Sequence, residues 1–66
     1  MTITLNGKTH LLANAMTLQQ LLNTLDLATM HIAIEHNGEI IPNATYADIM
    51  VTANDQIEII HFVGGG

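Results

Sequence analysis

The sequence predicts a single α+β domain, a mixed β-sheet with one main helix packed on one face. Two Asn-Gly dipeptides, Asn6-Gly7 and Asn37-Gly38, lie between alternating apolar segments, the strongest short-range signal of a β-hairpin. Only one segment, "TLQQLLNTLDL" from Thr17, has the period of an amphipathic helix. The final run, "QIEIIHFV", is the most apolar strand of the chain. At 66 residues this is one small domain, which buries only roughly 60% of the surface its unfolded form exposes. Without cysteine it has no disulfide, thiolate zinc site or thiol nucleophile, so apolar packing alone must hold the core.

The chain opens with "MTITLNGKTHLL", where Ile3 and Leu5 alternate with threonines, Asn6-Gly7 turns, and Thr9 to Leu12 returns as a second, antiparallel strand. Leu18, Leu21, Leu22 and Leu25 then recur at i, i+3, i+4 and i+7 and form one apolar stripe on a helix. Thr17 and Gln20 fit a capping box, each side chain satisfying an orphan backbone N–H at the helix start. "HIAIEH" is a third strand with Ile32 and Ile34 on one face. Asn37-Gly38 leads into a short strand, Glu39 to Ile41, which Pro42 ends because it has no N–H to pair. Asn43 to Met50 show little β pattern, and Tyr46, Ile49 and Met50 are candidates to anchor a short helical turn. Asn54-Asp55 turns the chain into the final strand. One helix covers one face of such a sheet, and the apolar first and last strands belong side by side at its centre. This is the β-grasp, or ubiquitin-like, arrangement, with residues 1–63 as the domain and residues 64–66 as a flexible glycine tail.

Charge narrows the function. Lys8 stands alone against six acidic residues, a formal net charge of −5. Nucleic-acid binding needs clustered Lys and Arg to displace counterions, and anionic membranes need the same, so neither partner is expected. No apolar run approaches the roughly 20 residues that span a bilayer, and "MTITLNGK" has no basic region leading into an apolar stretch, so a cytoplasmic location is expected. The acidity suits a partner with a basic docking face, or serves only to keep an apolar small domain soluble.

Side chains able to do chemistry are few. Serine is absent, which removes a serine hydrolase. Of the histidines, His31 and His36 are an odd number apart and so face opposite sides of a strand, and neither they nor His10 and His61 form an i, i+4 pair. They read as structural or surface residues and no metal site is expected. His61 shares the parity of Ile57 and Ile59, which implies partial burial. Asp26, Asp48 and Asp55 fall at helix ends or turns, where Asp caps or turns the backbone. Met1, Met16, Met30 and Met50 show no stripe and read as core or junction filler.

The end of the sequence is the informative part. Along the last strand Ile57 and Ile59 point one way and Glu58, Ile60 and Phe62 the other. One pair must face away from the helix, and Glu58 assigns that face to Ile60 and Phe62. With Val63 they form a candidate docking patch. The alternative is that loops bury Phe62. Beyond them Gly64, Gly65 and Gly66 reach about 10 Å when extended. Three residues without side chains fit a narrow channel in another protein and present a terminal carboxylate there. A carboxylate is a poor electrophile until one oxygen becomes a leaving group, as in an acyl adenylate made from ATP. Nothing in this chain performs that step, so a partner must. Gly66 is the candidate site of modification, with Gly64 and Gly65 as the strand that enters the partner.

The whole sequence resembles the thiamin-biosynthesis sulfur-carrier family (ThiS), small β-grasp proteins that end in Gly-Gly. The resemblance rests on the "LNGK" start, the "TLQQLL" helix opening, "AIEHNGEIIP", the "NDQIEII" lead into the last strand, and "HFVGGG". Many ubiquitin-like tails carry a larger residue at the position of Gly64, so recognition of a side chain there is not expected. The resemblance implies a cycle. An adenylating enzyme similar to ubiquitin-activating enzymes uses Mg-ATP to convert the Gly66 carboxylate to an acyl adenylate. A cysteine-derived persulfide replaces AMP with sulfur, and the resulting thiocarboxylate donates that sulfur at thiazole synthase. The carrier is then a cosubstrate with no bound cofactor and no catalytic residue of its own. Three alternatives stand beside it: a molybdopterin-synthesis sulfur carrier, a family whose members are generally longer; a ubiquitin-like modifier conjugated to lysines; and a non-catalytic β-grasp binding module whose glycines are a frayed end.

Overall fold

The computed structural model describes residues 1–28 and 30–62. The first hairpin joins β1 (Thr2–Leu5) to β2 (Lys8–Leu11). Leu5 pairs with Lys8, which leaves a two-residue loop. Both loop residues are left-handed, Asn6 at φ 49° and Gly7 at φ 79°. The second hairpin repeats this design between β4 (Ile32–His36) and β5 (Glu39–Ile41), with Asn37 at φ 49° and Gly38 at φ 88°. Such turns match the right-handed twist of the strands, and asparagine and glycine tolerate the geometry best.

Helix α1 (Leu18–Thr24) starts at the expected capping box: the Thr17 hydroxyl accepts from the Gln20 N–H, and the Gln20 side chain accepts from the Thr17 N–H. Leu18, Leu21 and Leu22 are fully buried. Leu25 is the half-buried C-cap rather than a further helical residue, and left-handed Asp26 (φ 58°) follows it. Asn43–Asp48 forms a 310 helix that buries Tyr46 completely, and the Tyr46 hydroxyl donates to Asn43 Oδ1 at 3.0 Å. Burial pushes the Tyr46 pKa up, partly countered by a backbone hydrogen bond at Ile34.

The main sheet runs β2-β1-β7-β4-β5, where β7 is Gln56–His61. The first and last strands are neighbours, as expected, and run parallel, while the other pairings of this sheet are antiparallel. The core contains Ile3, Ile32, Ile34, Ile57 and Ile59 from the sheet, the three helix leucines, and Leu12, Tyr46 and Val51. A second sheet, not foreseen from the sequence, pairs β3 (Met16–Thr17) with β6 (Met50–Val51). It links the helix start to the segment after the 310 helix, where the Leu18 N–H donates to the Ile49 carbonyl.

Three sequence expectations are corrected. Met30 and Met50 are exposed, so only Met1 and Met16 pack against the core. His31 is not a strand residue: it precedes β4 in a turn at φ 66°, so strand parity does not relate it to His36. His61 is exposed despite its parity, because β1 ends opposite Ile57 and, among the described residues, leaves His61 with a strand neighbour on one side only.

Candidate functional site: the open sheet face and the end of the last strand

The alternation of β7 sets the site. Ile57 and Ile59 are 1% and 7% exposed, whereas Ile60 and Phe62 are 44% and 56% exposed. The face opposite the helix is therefore open, and loops do not bury Phe62. Register builds a row across three strands on this face, with Glu58 opposite Glu35 and Glu35 opposite Ile40. The next row places Ile60 opposite Ala33. Ile40 and Ile60 thus border two carboxylates directly opposed across β4 and β7, and Phe62 follows farther along the same face. Beside the pair is a depression of about 270 Å³, lined among others by Thr4, Gln56, Glu35 and Glu58. Like charges in opposed positions destabilise a sheet. No Lys or Arg neutralises the pair, since the only such residue, Lys8, lies opposite Leu5 on β2.

The hairpin asparagines tie the start and the middle of β7. At its start the Gln56 N–H donates to Asn37 Oδ1 at 2.8 Å, and the Asn37 N–H donates to the Gln56 carbonyl at 2.8 Å. Farther along, the Asn6 N–H donates to the Ile57 carbonyl at 2.9 Å and the Ile59 N–H donates to Asn6 Oδ1 at 2.7 Å. Phe62 is held from the other side, its N–H donating to the His31 carbonyl at 2.7 Å. Sequence reasoning assigned both asparagines to their turns and missed their bonds to β7. No local signal reveals a side-chain bond spanning 53 positions.

The end of β7 remote from Phe62 carries a polar cluster. Asp55 Oδ2 is 2.8 Å from His36 Nε2 and accepts from the Thr52 N–H at 2.9 Å, and Asn37 donates to Asp55 Oδ1 at 3.3 Å. Burial alone would raise the Asp55 pKa, but the hydrogen bonds from His36, Thr52 and Asn37, with the nearby His36 charge, lower it below the ordinary 3.8. Asp55 thus acts as a turn residue, as its sequence context implied. Among the described residues no three His, Cys, Asp or Glu side chains converge on a common point. No helix among them is long and apolar enough to cross a membrane. Val63, Gly64, Gly65 and Gly66, the remaining residues of the candidate patch and tail, lie outside the described residues.

The model of the ThiS family matches residues 3–66. The chain belongs to the ThiS family. Its β-grasp fold is that of the ThiS crystal structure from Geobacter metallireducens, a thiamine biosynthesis protein: the TM-score is 0.86 at 29% identity, with both chains fully covered. The sulfur carrier protein ThiS of Bacillus subtilis is 42% identical over 50 residues, 76% of each chain. Thiazole synthases of Magnetococcus marinus and Paramagnetospirillum magneticum are 39% and 36% identical over all 66 residues, and this chain spans 20% of their length.

Proposed function

We propose that this ThiS-family chain is the sulfur carrier for thiazole formation in thiamin biosynthesis, with the Gly66 carboxylate as the group that is activated and sulfurated. The observation that carries the reading is the match to the family over residues 3–66, which takes in the glycine tail itself. The Bacillus relative is named for sulfur carriage, and two thiazole synthases contain a segment similar to this whole chain. A carrier-like segment within the synthase polypeptide supports thiazole synthase as the partner that receives the sulfur.

In this reading the Gly66 carboxylate attacks the α-phosphorus of Mg-ATP on an adenylating enzyme, pyrophosphate leaves, and an acyl adenylate forms. The terminal sulfur of a cysteine-derived persulfide displaces AMP, and a thiol cleaves the acyl disulfide to leave the thiocarboxylate. The carrier supplies recognition and a reactive end, while ATP and Mg belong to the partner. Ile60, Phe62 and Val63 dock on the adenylating enzyme, and the Glu35 and Glu58 pair favours a basic partner surface. Such an apolar patch with a charged centre suits an encounter that must form and release in every cycle.

Deleting Gly65 and Gly66 tests the reading. A carrier loses ATP-dependent activation and sulfur transfer while its melting temperature is unchanged; a passive binding module keeps its function. An isopeptide-linked target recovered from cells would instead favour a protein modifier.

A further inference from the structure

We propose that Asn6 is a positioning residue for the C-terminal tail: its side-chain oxygen stands in for its own main-chain carbonyl and extends the β1 edge of the ladder to Ile59 after β1 has turned away. In a parallel ladder the residue that donates its N–H to position 57 would accept, through its main-chain carbonyl, from the N–H of position 59. Asn6 makes the first of these bonds, to the Ile57 carbonyl. At φ 49°, however, it has already entered the hairpin turn, and Asn6 Oδ1 accepts from the Ile59 N–H instead. Glycine would satisfy the turn equally well but has no side-chain acceptor. Ile59 is nearly buried, so its N–H would be left poorly solvated.

The consequence falls on the segment leading to the tail. Among the described residues β7 is held past Ile59 only from the β4 side, through its pairing with Ala33 and Ile32 and through the bond from Phe62 to His31. With Asn6 in place β7 is gripped from both edges at Ile59, which fixes the path of Ile60 to Phe62. This role rests on the proposed function, because it matters only where the terminus is activated on a partner.

Asn37 provides an internal control, since it makes the same kind of bond at the start of β7, remote from the tail. The carrier variants Asn6→Gly, Asn6→Asp and Asn37→Gly are compared with the natural chain as substrates of the cognate adenylating enzyme with Mg-ATP, by steady-state pyrophosphate release. Amide exchange at Ile59 and Gln56 is followed in parallel. Asn6→Gly is expected to lower kcat about five-fold, the worth of one ordinary hydrogen bond, with KM within about two-fold because the docking face is intact. Exchange at Ile59 should accelerate. Asn6→Asp, which keeps the acceptor and tolerates the left-handed turn, should restore kcat. Asn37→Gly should accelerate exchange at Gln56 and leave kcat unchanged. The inference is overturned if Asn6→Gly frees Ile59 without lowering kcat, or if Asn37→Gly lowers kcat as much. Should Asn6→Gly not remain folded, a folded Asn6→Asp with reduced kcat overturns it. A natural chain that is inert with an active partner overturns the proposed function itself, and the role of Asn6 with it.

Discussion

Replacing Glu35 and Glu58 together by glutamine should make the domain more stable and a poorer partner at once. The two carboxylates are directly opposed on β4 and β7. At a separation of about 6 Å in a water-like dielectric their repulsion is about 0.7 kcal/mol, and screening at physiological salt reduces this to roughly 0.3 kcal/mol. For a domain of this size each kcal/mol moves the melting temperature by about 4–8 °C, so the double variant should melt about 1–6 °C higher. If a partner cation sits near each carboxylate, loss of each contact costs about 1 kcal/mol, or about five-fold in kcat/KM at low salt. The assay pairs a thermal melt with the salt dependence of activation by the adenylating enzyme. The expected result is a higher melting temperature, a lower kcat/KM and a flatter salt dependence. A higher melting temperature with unchanged activation would refute recognition of this face by a basic surface, and a lower one would refute the repulsion.

Other consequences follow from the same geometry. Phe62→Asp should reduce kcat/KM with the adenylating enzyme by tenfold or more while the domain stays folded, because Phe62 is 56% exposed; loss of the circular dichroism signal would refute its surface role. Leu21→Ala removes a fully buried side chain and should cost about 2–5 kcal/mol, much of the stability of a small domain, visible in a urea titration. The lowered pKa of Asp55 gives an acid limb to stability. Its contribution is fully present above the ordinary value of 3.8 and is lost as pH falls through the lower folded value, and Asp55→Asn should flatten that limb in pH-dependent melts.

Much of this fold was legible because local geometry demanded particular residues. Asn6-Gly7 and Asn37-Gly38 supply the left-handed pairs of two-residue turns, Thr17 and Gln20 form the cap, and the alternation in β7 assigned Ile60 and Phe62 to the open face. The illegible parts depend on distant neighbours. Two-residue strands such as Met16–Thr17 and Met50–Val51 have no periodicity to detect and exist because tertiary packing brings them together. Parity misplaced His61 because alternation tells which face a residue is on, not how far the neighbouring strand extends. The opposed glutamates required a register between β4 and β7 that no single segment encodes.

Sulfur carriage by this chain stands or falls with the chemistry of Gly66, which intact-protein mass spectrometry reads. The chain is incubated with ATP, the cognate adenylating enzyme and a sulfur source, then treated with a thiol alkylating reagent. The expected result is a mass gain equal to one oxygen replaced by sulfur, localised to Gly66 and alkylatable although the chain has no cysteine. An unchanged mass in the presence of demonstrably active partners would contradict it.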